Sequence, residues 1–158
     1  MQAPETEIDR LKASSAKPDA QILAEAIRLV QEGVSVTFPV NGHSMLPFIV
    51  GGRDSVVLCK PEQTNVGDIV LAQTDYGYVI HRVVAVTGEH ITLMGDGNLA
   101  QREHCDKDHV FARVSHIVRA NKKKHPVDSL SARSAAKIWL LMLPFRRYLL
   151  AIYRRIVQ

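Results

Sequence analysis

Hydrophobic and polar positions change period twice along the chain. Ile22, Leu23, Ala26, Ile27 and Val30 recur at three- and four-residue spacing, which predicts an amphipathic helix over 19–33 with Asp19 as its N-cap and Gly33 at its end. From Val34 the period drops to two: Val34, Val36 and Phe38 alternate with Ser35 and Thr37, as in a half-buried strand, until Pro39 interrupts them. Short β-branched runs follow at 55–58, 68–72, 78–86, 90–94 and 110–114. Gly51-Gly52, Gly67-Asp68, Asp75-Tyr76-Gly77, Thr87-Gly88-Glu89 and Gly95-Asp96-Gly97-Asn98 punctuate them. Runs so short with turns so close predict a mainly β domain over 34–118, a folded antiparallel sheet or small barrel rather than a helix-alternating parallel sheet.

Outside that body the pattern is simpler. Residues 1–18 are polar, end at Lys17-Pro18 and read as a flexible lead-in. The basic, apolar-poor stretch 119–134 reads as a linker. Helical spacing returns over 135–158, where Ile138, Leu141, Met142, Phe145, Leu149, Ile152 and Ile156 fall on one stripe and Pro144 is placed to kink or split the helix.

A chain of 158 residues with 46% hydrophobic and 23% charged side chains suits one packed domain and excludes collagen-like and wholly disordered classes. The net charge of +4 is unevenly spread. Residues 1–118 carry ten basic and fifteen acidic side chains, whereas 119–158 carry ten basic and only Asp128 as an acid. The basicity belongs to the tail, and a basic amphipathic helix with Trp139, Tyr148 and Tyr153 suits an anionic membrane surface. Packing of the same helix on the body is the other use open to it. An acidic body with no helix-turn-helix before it argues against a nucleic-acid partner.

Neither the opening MQAPETEIDRLKASS nor any later run has the length and apolarity of a signal peptide or spanning helix. The expected location is the cytoplasmic side, with peripheral membrane contact through the C-terminal helix. Cys59 and Cys105 lie 46 residues apart and match no metal-ligand spacing, so buried thiols are expected, with a disulfide as the alternative; no metal and no cofactor are expected.

Two residues suggest chemistry. Ser44 follows a strand in Asn41-Gly42-His43-Ser44-Met45-Leu46-Pro47, where a glycine-assisted turn can expose a hydroxyl and aim backbone N–H groups at an oxyanion. His81 stands inside the most apolar run, where packing alone would be served by a nonpolar residue. An imidazole there could take the Ser44 proton, with a carboxylate fixing its tautomer; Asp96, Glu103 and Asp108 are the candidates.

Read in order, GHSMLP at 42–47, Gly52-Arg53-Asp54, VGDIVL at 66–71, YVIHRVV at 78–84 and MGDGN at 94–98 resemble the signal-peptidase superfamily of serine peptidases. That superfamily also includes the self-cleaving repressors of the DNA-damage response. The resemblance spans about 40–118, roughly half the chain, and implies a barrel-like catalytic core with Ser44 as nucleophile. His81-Arg82-Val83 stands where the lysine branch of the family carries Lys-Arg-Val, and no lysine lies between Lys60 and Lys107. The resemblance therefore implies the histidine branch, with His81 as general base.

The third member is Asp96 by motif position, Glu103 by proximity, or absent, with Ser44 and His81 working as a pair. The acidic pair usual in that branch is replaced by Gln101 and Arg102. Gly42 stands where lysine-branch enzymes often carry a hydroxyl, which leaves more of the oxyanion role to the Ser44 N–H. Met45 and Pro47, within the apolar Met45–Ile49 segment, and the Tyr76–Tyr78 turn are expected to line a cleft that takes an extended peptide as an added strand. The expected function is cleavage of exported or dedicated precursor peptides. From another class, a noncatalytic peptide- or partner-binding module would keep the same fold.

Overall fold

A computed structural model describes residues 20–157; the lead-in over 1–18 and the expected cap Asp19 lie outside them. Helix α1 spans 20–31 and buries Ala26 and Val30. The strands are β1 (Val36–Pro39), β2 (Ser55–Cys59), β3 (Ile69–Thr74), β4 (Gly77–Thr87), β5 (His90–Met94), β6 (Glu103–Asp106), β7 (Val110–Val118) and β8 (Lys124–Pro126). They form one antiparallel sheet in the order β1-β2-β7-β3-β4-β5-β6, with β8 also on β7, curled into a half-barrel. The mainly β expectation holds.

Both faces of the central strands are covered. Ile69 and Leu71 of β3 join Ile49, Val56, Leu58, Val114 and Val30 of α1 in one core. The intervening Val70 and Ala72 join Val83, Ile91, Leu93 and Val110 in a second. Alternate side chains point to opposite faces, so burial on both sides requires the unbroken apolar run Ile69–Ala72.

The tail departs from the linker expectation over 119–134 and takes the split of the two outcomes open at Pro144. Lys124–Pro126 pairs with His116–Val118 as β8, so part of the expected linker is strand. Helix α2 (Leu130–Leu141) begins within it, capped by Ser129 Oγ, which accepts from the Ala132 N–H. Pro144 lies in a short 3₁₀ turn, Leu143–Phe145, that separates α2 from α3 (Arg146–Val157). Pro144 thus splits the helix instead of bending it, since its ring cannot sit in a continuous α-helix.

Both helices dock on the body. Leu150 is buried with Leu46 and Val50, with Trp139 and Tyr153 packed against them, and Phe48 meets Trp139 edge-to-face with ring centroids 6.0 Å apart. The stripe singled out by periodicity is not the docked one. Ile138, Leu141, Phe145, Ile152 and Ile156 stay exposed, while Arg146 is fully enclosed. No helix among the described residues is long and apolar enough to cross a membrane. Cys59 and Cys105 are unpaired thiols, each partly buried.

Candidate active site

The Ser44 turn is built by close backbone approach. Gly52 N–H donates to Val40 O at 2.7 Å, and this draws Gly51 against Gly42 so tightly that a Cβ at Gly51 would fall 1.9 Å from Gly42 O. Asp54 fixes the other end of the turn. Its buried carboxylate accepts from the Val50 N–H at 2.9 Å and from Arg119 at 2.7 Å, and it pairs with Arg53. Burial pushes this carboxyl up, but the hydrogen bonds from Arg53, Val50 and Arg119 outweigh it and hold the group below the usual range.

From behind, the Gly95–Asn98 loop presses on the backbone of Ser44 itself. Gly97 N–H donates to Ser44 O at 2.7 Å. A Cβ at Gly95 would sit 2.4 Å from Ser44 O, and one at Gly97 would sit 2.7 Å from His43 O. The glycines of MGDGN therefore serve contact with the Ser44 turn. The N–H groups of Ser44 and Met45 donate to no described residue, and Ser44 Oγ likewise has no hydrogen-bond partner among them.

That loop is itself braced twice. Arg82 grips the buried Asp96 carboxylate with two hydrogen bonds, Nε to Oδ1 at 2.8 Å and Nη2 to Oδ2 at 2.7 Å. From the tail, Trp139 Nε1 donates to Asp96 O at 2.8 Å and Arg146 Nη1 donates to Asn98 O at 3.0 Å. Arg146 lies over the Trp139 ring, and its Nε is buried with no partner among the described residues. Burial pulls the Arg146 guanidinium below its usual range; Asp96 opposes that effect and Arg82 adds to it.

His81 has a different carboxylate. Its Nδ1 lies 3.0 Å from Glu103 Oε2, with both side chains buried. Strand register explains the meeting. Val83 pairs with Leu93 of β5, and Leu93 pairs with Glu103 of β6, so all three side chains share a face with His81, two residues before Val83. Gln101 Nε2 donates to the other Glu103 oxygen at 3.3 Å. A carboxylate accepts, so Nδ1 is the donor in this pair, and in the tautomer that carries a single ring proton the lone pair is on Nε2.

Ser44 and His81 line one cavity of about 390 Å³, with no hydrogen bond between them. Phe38, Pro39, Val40 and Asn41 line it together with Tyr78, Val79 and Ile80. Here the half-barrel is open. Among the described residues, β1 pairs on one edge only, with β2, and the Gly77–His81 half of β4 pairs only with β3, because β5 begins its pairing at Arg82. Both open edges border the cavity.

The structure pairs His81 with Glu103, sets Ser44 and His81 on the lining of one cavity, and places other expected residues elsewhere. Asp96 is committed to Arg82 and cannot also orient His81. Asp108 is exposed beside a separate cavity with Lys60 and Glu62. Met45 is buried in the core, and neither it nor Pro47 lines the Ser44 cavity; of the Tyr76–Tyr78 turn, Tyr78 lines it. Sequence reasoning missed Trp139 and Arg146 as braces of the loop behind Ser44, and nothing in their helical spacing marks that role. Arg82, next to His81, was the visible sign of a partner for Asp96.

Among the described residues, no three His, Cys, Asp or Glu side chains form a group that could hold a metal ion. Comparisons of the chain with protein-family models, curated proteins and solved structures find no match.

Proposed function

We propose that this protein is a serine endopeptidase of the signal-peptidase type, histidine-base branch, acting on extended segments of exported or dedicated precursor peptides. The observation that carries the reading is that His81, paired with the buried Glu103, lines a cavity that Ser44 also lines.

With Nδ1–H held by Glu103, His81 Nε2 accepts the Ser44 proton as Oγ attacks a peptide carbonyl. The unpartnered N–H groups of Ser44 and Met45 are the available donors to the tetrahedral oxyanion. His81 then returns the proton to the departing amine, leaving an acyl group on Ser44. Water, activated by the same imidazole, hydrolyses that ester and restores the hydroxyl. The open β1 and β4 edges give an extended substrate backbone its hydrogen-bonding partners. A noncatalytic peptide-binding module would use the same edges but gives the buried His81–Glu103 pair no task. A serine-directed acylating probe tests the choice. Labelling of the wild type that disappears in Ser44→Ala supports catalysis; labelling that survives in that variant, or turnover that survives His81→Ala, overturns it.

A further inference from the structure

The tail offers a surface that the peptidase reading does not use. Around the axis of α3, Leu150, Arg146 and Tyr153 face the body. Tyr148, Ile152 and Ile156 stand at four-residue spacing and form a separate column headed by Phe145. All four are exposed, Ile152 by 57% and Ile156 by 77%. Arg155 borders this column, with Arg147 and Arg154 beyond it, and all three are exposed. From Ser129 onward the chain holds six basic side chains and no acid, and Arg146 is the one of the six withdrawn into the body.

The geometry points to an anionic lipid surface as the occupant of this column, with the apolar side chains at headgroup depth and the arginines on lipid phosphates. Charge decides the occupant. A second copy docked by the same face would oppose two arginine rows with no acid in the segment to pair them, whereas anionic lipid complements them. With β8 the body runs to Asp128 and is nearly balanced, fourteen basic against sixteen acidic side chains over 1–128, so the acid-free tail is the part such a surface attracts and adsorption orients the molecule tail first. Lipid contact leaves the docked face in place, so it requires no unfolding of the tail from the loop behind Ser44.

The test uses the full chain, because removing the tail would also remove the Trp139 and Arg146 braces. Cosedimentation is measured with vesicles of phosphatidylcholine alone and of an equal mixture with phosphatidylglycerol. Binding is expected only to the anionic vesicles, weakened by salt. Ile152→Glu with Ile156→Glu should lower the partition coefficient by about tenfold or more. Replacing Arg147, Arg154 and Arg155 by Gln should lower it comparably, with thermal midpoints unchanged in both variants. Ser44→Ala should bind like the wild type, which separates this result from the fate of the peptidase reading. Absence of binding to the anionic vesicles, equal binding by the variants, or a dimer in solution dispersed by Ile152→Glu with vesicles ignored would each overturn the proposal.

Discussion

Glu103 holds His81 across an intervening strand: Oε2 stands 3.0 Å from Nδ1, while Asp96, nearer in sequence, is clasped by Arg82 on the neighbouring position of β4. Adjacent residues of one strand thus take separate carboxylates on opposite faces of the sheet. His81 and Arg82 should consequently fail in different ways when their partners are removed.

Glu103→Gln keeps the shape of the pair and removes the charge that fixes the tautomer. Turnover is expected to fall by about 10²–10⁴-fold with a thermal midpoint close to wild type. Asp96→Ala should instead destabilise the fold by about 3–5 kcal/mol, since Arg82 is left buried without its counter-charge. Thermal melts and peptide turnover on the same preparations check both. A stable but inactive Asp96→Ala would show that this carboxylate has a direct part in catalysis.

The glycines behind Ser44 give a second measurement. Gly95→Ala places a methyl 2.4 Å from Ser44 O, a backbone atom, so the turn itself must shift. Labelling by a serine-directed probe should slow by about 10²-fold, in line with the cost of small misplacements in a catalytic site. Gly88→Ala is the control: no heavy atom lies within 4 Å of the added Cβ there, and only local strain at its positive φ is expected. Similar labelling rates in the two variants would remove the role given to the Gly95 contact.

Trp139→Phe tests the brace from the tail. The ring remains against Phe48, but the Nε1–H to Asp96 O bond is lost, at a cost of about 1 kcal/mol or somewhat more, because that carbonyl loses a partner. The thermal midpoint should fall by a few degrees, and kcat should fall while KM changes little. An unchanged kcat with a lowered midpoint would make the bond structural only.

Acid should act through Asp54. Its folded-state carboxyl sits below the ordinary range, so its stabilisation is complete above the unfolded value of about 3.9 and is lost as pH falls through the lower folded value. Wild type should exceed Asp54→Asn in urea midpoint near neutrality, and the gap should close on acidification. A gap that stays constant into strong acid would contradict the ionic role.

Much of the sheet was legible because its turns are marked by glycine and its strands by β-branched runs. β8 was not: Lys124, His125 and Pro126 are all exposed, so no burial pattern betrays a strand defined by backbone pairing to β7. Ser44 and His81 could be singled out from their local contexts. The choice of Glu103 over Asp96 depended on the Val83–Leu93–Glu103 register, which no single segment contains. Met45 was read as a cleft residue because it follows Ser44, yet the turn rotates it into the core. In α3, periodicity selects the most apolar column, whereas docking selected Arg146, Leu150 and Tyr153 for their fit to Asn98, Leu46 and Val50.

The bracing of the Ser44 turn also has an order in time. Ser44 leaves the ribosome early, its contacts with Gly95 and Gly97 become possible only when the middle of the chain has followed, and Trp139 and Arg146 come later still. A chain stalled before Trp139 already holds Ser44 and His81 but leaves the Gly95–Asn98 loop behind Ser44 half-supported. The order of synthesis therefore delays the full bracing of the Ser44 turn until α2 and α3 have folded back.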